Sequence, residues 1–231
     1  MSTVAARAAG AIGAVAVVCF AVAFLADPTP PVAGSDTVTV LRHALQFSVS
    51  DRIAGFFFAA SGALFVAFAA ALQHVLRDAS QREAFVGTIM LAGGIATGTL
   101  QVLDAVLFFT LGARAAALDG QTAATLADLA TYGFVFEGFM VLVFVVAASA
   151  LMLRSRGVLR VLGECGAVVS LFLTLYLVTS FFTSGALAAG GVVSIISFGV
   201  AAVWVALIGL SLLVLEPRAL FGPPVATGRA S

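Results

Sequence analysis

Residues Ala84 to Leu111 read AFVGTIMLAGGIATGTLQVLDAVLFFTL, and their character sets the class of the whole chain. The stretch is apolar for longer than the about 20 residues a helix needs to cross a bilayer. It nevertheless contains Thr97, Gln101 and one acid, Asp104. Charge at bilayer depth is costly, so acids there are rare and are functional candidates. Gly94, Thr97, Gln101 and Asp104 recur at i, i+3, i+7 and i+10, which places them on one helical face. Gly94 and Gly98 form a Gly-x-x-x-Gly motif that lets a second helix come close. This span is expected at the centre of a bundle, with Asp104 facing protein.

The rest of the chain repeats the pattern. Hydrophobic residues make up 62% of 231 and charged residues 10%, where a soluble domain carries roughly 25% charge. Six runs are long enough to span: Ala8–Ala26, Ile53–Leu76, Ala84–Leu111, Ala130–Leu153, Val161–Phe182 and Gly190–Leu215. The expected fold is an all-α polytopic membrane bundle of six transmembrane helices in one domain, residues 1–231. From Cys165 to Leu215 there is no charge. The small-residue segment Ser184–Gly191 is the natural break there, giving a tight hairpin between the fifth and sixth spans. A signal-peptide reading competes for the first run, because Arg7, an apolar core and Ala21-Val22-Ala23 resemble a cleavable leader.

Every basic residue is Arg, which excludes a Lys Schiff base and a P-loop. The net charge is zero, so no global field attracts nucleic acid. Short cytoplasmic loops hold the excess of Arg in membrane proteins. With the N-terminus inside, Arg7, Arg77, Arg82, Arg154, Arg156, Arg160, Arg218 and Arg229 fall on the cytoplasmic side. Arg42, Arg52 and Arg114 fall outside. Both termini are therefore expected in the cytoplasm of a cell (plasma) membrane protein.

Asp27-Pro28-Thr29-Pro30-Pro31 must end the first helix, since Pro cannot continue one. In the long loop that follows, Val38, Leu41 and Leu45 at helical spacing within Asp36–Phe47 predict a short amphipathic helix. Ser48-Val49-Ser50-Asp51 offers N-cap chemistry for the second span. Thr122–Thr131 has the composition to extend the fourth span by a few turns. Asp119 and Asp128 read as solvated surface acids.

Three acids interrupt the spans: Asp104, Glu137 and Glu164. At about 1.5 Å per residue, Asp104 lies roughly 10 Å outward from the middle of its helix, and Glu137 roughly 7 Å. The helices are consecutive and antiparallel, so the acids are expected to meet. Two carboxylates in an apolar site cannot both stay ionised cheaply and can share a proton. Alternatively they are satisfied by Gln101, Thr97, Trp204, Arg52 or Arg114. Trp204 sits near the centre of the last run, on a face with Ser194, Ser197 and Ala201, and its indole N–H needs a partner. Gln101, Asp104, Glu137 and Trp204 together form the candidate intramembrane site. Glu164 follows Arg160 by one turn, as a structural ion pair at the helix start.

Other chemistries lack their residues. His43 and His74 are expected on opposite sides of the bilayer, so they cannot share a haem. Cys19 and Cys165 lie at different depths and read as small buried hydrophobes. No metal-ligand spacing, nucleotide turn or protease motif occurs, so no cofactor, metal or catalytic residue is expected. The segment Leu151–Gly163, LMLRSRGVLRVLG, followed by an apolar helix, resembles a turn common in a family of small six-helix bacterial integral membrane proteins of unknown function. The order of helix, long outer loop, helix and brief Arg-bearing inner loop is similar too. Members often have Pro before the second Arg, where this chain has Leu159. The resemblance implies six helices; the family's activity is unknown, so it carries over no catalytic residue. The leading expectation is a non-enzymatic assembly or accessory component binding a membrane-protein partner or a second copy. The alternative is a small proton- or cation-coupled transporter using Asp104 and Glu137.

Overall fold

The computed structural model describes residues 3–26, 31, 33–77, 84–178, 181–182 and 191–222. These residues form α1 (Thr3–Ala26), α2 (Thr37–Gln46), α3 (Ser48–Arg77), α4 (Ala84–Arg114), α5 (Gly120–Leu153), α6 (Gly157–Val178), α7 (Val192–Val214) and α8 (Pro217–Phe221). Six of them, α1 and α3 to α7, are long and apolar enough to cross a membrane. The protein is an all-α multi-pass membrane protein, as the hydropathy pattern requires. The expected Ser184–Gly191 break lies, but for Gly191, outside the described residues.

The six long helices pack as a ring in chain order: α1 on α3, α3 on α4, α4 on α5, α5 on α6, α6 on α7, and α7 back on α1. Glycines set the closest approaches. A methyl on Gly62 would meet the Gly98 carbonyl at 2.7 Å, and one on Gly98 would clash with Gly62 in turn. A side chain on Gly94 would strike Ala69. The Gly-x-x-x-Gly motif therefore draws α3 onto α4.

At one end of the ring lies α2. Asp36 caps it, accepting from the Val38 amide at 3.1 Å and the Thr39 amide at 2.9 Å. The Thr39 hydroxyl also donates to Asp36 at 2.6 Å. These bonds, the hydroxyl's first, hold the Asp36 carboxyl below its usual value. Val40 and Ala44 pack α2 on Ala123 and Ala127 of α5. His43 Nε2 lies 3.8 Å from the buried Asp51 at the start of α3. At the other end, Gly157 turns α5 into α6 with φ of 63°. A side chain there would meet the Ala219 and Leu220 carbonyls of α8.

Several expectations need correction. Asp119 does more than face solvent: it caps the fourth helix, which starts at Gly120 with the extension that Thr122–Thr131 anticipates, and it accepts from the Thr122 amide at 2.9 Å and hydroxyl at 2.8 Å. Those bonds, the amide's first, lower the Asp119 pKa. Asp128 is not simply solvated: it accepts from the Gly34 amide at 2.9 Å and ties the long loop to α5. Helix α3 begins at Ser48, with Asp51 inside its first turn. The fifth span runs Gly157–Val178, one turn ahead of the expected Val161–Phe182. Cys165 is exposed on the ring's outside and Cys19 only partly covered.

Candidate functional site

The stripe on α4 does face the interior. Gly94, Thr97, Gln101 and Asp104 are all buried, and so is Glu137 of α5. Asp104 is 6% exposed and Glu137 1%. The Asp104 carboxyl lies against the backbone of Gly133, in the space a Cβ would fill. Glu137 follows Gly133 by four residues on the same face, so it sits one turn farther from the α2 end. The Asp104 carboxyl of α4 thus reaches α5 one turn from Glu137.

Glu137 opens on a cavity of about 50 Å³ at the centre of the ring. Its polar wall is Glu137, Thr97, Gln101 and Ser61, and Ala16 and Ala201 close it from α1 and α7. Gln101 donates to the Ser61 hydroxyl at 3.3 Å, and Ser61 donates to the Ala16 carbonyl at 3.0 Å. This chain fixes the amide. Among the described residues, Asp104 Oδ2, Glu137 Oε2 and Thr97 Oγ1 have no hydrogen-bond partner. Buried polar groups are nearly always paired, so each orphan calls for a reason.

Three of the donors considered for these acids, Gln101, Arg52 and Trp204, make hydrogen bonds elsewhere. Gln101 gives its N–H to Ser61, and Arg52 gives its Nε to the Ser48 carbonyl at 3.2 Å. Trp204 faces the interior but does not join the cavity wall; its indole donates to the Leu162 carbonyl of α6 at 2.8 Å. It packs edge-on to Phe144 with centroids 6.5 Å apart. Arg160 and Glu164 do pair, at 3.2 Å, with both side chains more than half exposed; such exposed pairs contribute about 0–1 kcal/mol.

Ser61 escaped the sequence reading. Its one signal was a hydroxyl beside Gly62 in an otherwise apolar span. A layer of four rings escaped it as well. Phe20 meets Phe58 at 5.7 Å, Phe58 meets Phe134 at 6.2 Å, Phe134 meets Phe198 at 4.3 Å, and Phe198 returns to Phe20 at 5.9 Å. The circuit takes one ring from each of α1, α3, α5 and α7. Toward the α2 end lies a second cavity, of about 90 Å³, reaching Pro31 and Ala54. Phe198 borders both cavities. The rings therefore partition an apolar vestibule from the cavity that holds Glu137. The Tyr176 hydroxyl of α6 braces this layer, donating to the Phe134 carbonyl at 2.7 Å.

Among the described residues, no three His, Cys, Asp or Glu side chains converge as a metal site would require. What the arrangement can do is bind and release a small cation or a proton at a carboxylate inside a closed apolar ring. No protein-family model matches the chain, and neither a curated protein nor a solved structure resembles it detectably.

Proposed function

We propose that the protein is a proton-coupled carrier of the cell membrane, with Glu137 and Asp104 as its exchanging groups. The observation that carries the reading is the orphaned carboxylate of Glu137 at the wall of a central cavity. An isolated ionised acid in apolar surroundings is strongly disfavoured, so a proton or another cation is its natural partner. Asp104 lies one turn nearer the vestibule and gives the ligand a second stop. The Arg distribution supports an orientation with both termini in the cytoplasm and the α2 end outside. A chemical step finds no nucleophile–base arrangement here, and the carrier needs none.

The other reading, an accessory component, requires acids sealed by side-chain partners and a face reserved for docking. The orphaned oxygens favour the carrier. Stability separates the two. Asp104→Asn and Glu137→Gln leave the melting temperature in detergent within a few degrees if the acids await a ligand. If they neutralise a buried Arg, the same changes cost about 3–5 kcal/mol and the carrier is wrong. Infrared difference spectra between acid and alkaline buffer supply the second readout. A carboxylic C=O band that titrates in the native protein and disappears in Glu137→Gln is the expected result. Absence of any titrating band contradicts proton exchange at this site.

A further inference from the structure

We propose that the vestibule at the α2 end binds a quaternary ammonium group, and that this cation is what the carrier exchanges for protons. Five phenylalanines, one from each of five helices, surround the space: Phe24, Phe58, Phe108, Phe134 and Phe198. Ring faces carry negative charge and attract cations, and cages of rings are how proteins hold quaternary ammonium groups. The wall contains no acidic or basic side chain. Its side-chain hydroxyls are those of Thr131 and Ser194, and Thr131 donates to the Ala127 carbonyl of its own helix at 2.9 Å. A primary amine or a metal ion would lose its hydration here and find too few acceptors. A quaternary ammonium has no N–H to satisfy and a methyl surface that suits an apolar wall.

The counter-charge lies directly behind the rings. Asp104 is one turn from Phe108 on α4, and its carboxyl rests on Gly133, which lies between Ala130 and Phe134 of the vestibule wall. Asp104 Oδ2 is buried without a hydrogen-bond partner. Passage beyond the ring layer would bring the cation to Glu137. A cation and a proton would then compete for the same two carboxylates, which is exchange. The substrate role rests on the carrier reading; binding does not need transport to be measured.

Purified protein in maltoside micelles is titrated with choline and with 3,3-dimethylbutanol, the same shape with carbon in place of nitrogen. Choline is expected to bind at least ~10-fold more tightly. Asp104→Asn should bring the two within about twofold, since the charge term is lost. Phe198→Leu keeps the apolar volume but removes a ring, and should weaken choline roughly fivefold while sparing the alcohol. Equal binding of the two molecules, no choline binding, or an undiminished preference in Asp104→Asn overturns the proposal. Dihexanoyl phosphatidylcholine below its micellar concentration identifies the source. Competition with choline marks a lipid headgroup, and its absence marks a free quaternary ammonium solute. Liposomes with an internal pH dye then test the carrier separately. A choline gradient should drive protons the other way, and Glu137→Gln should abolish this. Choline binding without proton movement keeps the site and removes the carrier.

Discussion

Gly133 shows how little separates a site from a filled core. Its missing Cβ is the room in which the Asp104 carboxyl sits. In Gly133→Ala the methyl group takes that room and the carboxyl must turn away. The helix itself gains from the replacement, by roughly 0.5–1 kcal/mol. The expected outcome is a melting temperature within a few degrees of the native protein together with loss of the choline preference. Retained preference would mean that Gly133 does not position the acid. Asp119 makes a different point. Its pKa is depressed in the folded state by the Thr122 amide and hydroxyl. Its stabilisation is therefore present above the usual carboxylate value of 3.8 and is lost as pH falls below it. Asp119→Ala should lower the melting temperature at neutral pH, and the gap to the native protein should close in acid. A gap that persists at acid pH would assign the loss to something other than the cap. Asp104, Gln101 and Glu137 could be read in the sequence because polar residues in an apolar run are conspicuous. Asp128 could not, since its partner is a backbone amide 94 residues away, and backbone donors leave no trace in residue type. The same holds for Trp204, whose partner is the Leu162 carbonyl.

The helices were legible in existence and less so in extent. Hydropathy marks where lipid is, and helices continue past lipid when propensity and capping allow. Between Gly120 and Ala130 the chain is Gln, Ala, Thr, Leu and Asp, too mixed for a hydropathy threshold yet well suited to a capped helix. So α5 starts ahead of its apolar run. Helix α2 was legible because Val38, Leu41 and Leu45 keep a helical period, although the face that packs inward carries Val40 and Ala44 and leaves Val38 and Leu45 exposed. The contact of α3 with α4 could be anticipated from one side alone: Gly94 and Gly98 announced an approach, but nothing named Gly62 as the partner. Gly98→Leu should disrupt that contact, at a cost of about 1–3 kcal/mol or more from overpacking. Gly199→Ala is the control, because nothing lies within 4 Å of its added methyl, and it should be neutral or stabilising by up to about 1 kcal/mol. Chemical denaturation in detergent measures both. Equal stabilities for the two variants would show that α3 and α4 do not depend on the close approach.

The ring of six puts the start of α1 and the end of α7 at the same end, since Gly10 meets Gly209 and Leu213 across the α1–α7 contact. In the proposed orientation that end faces the cytoplasm. In a background with Cys19 and Cys165 replaced by Ala, a membrane-impermeant thiol reagent should label Ser35→Cys on intact cells and miss Ser155→Cys. The reverse pattern would invert the orientation, and with it the direction of the proposed exchange. Ring order was not legible, because every span carries apolar residues on all sides and only the close-contact glycines distinguish one neighbour from another. The closure of α7 on α1 also has a consequence for biogenesis. Helix α1 and the much later-made α7 are adjacent walls of the Glu137 cavity. At ribosomal rates, roughly 3–11 s separate the emergence of Glu137 from that of α7. During that interval the polar wall formed by Ser61, Gln101 and Glu137 is open on the side α7 will occupy. The membrane insertion machinery must shelter it until α7 arrives, so a nascent chain arrested before Val192 presents to the bilayer the groups that the finished protein encloses.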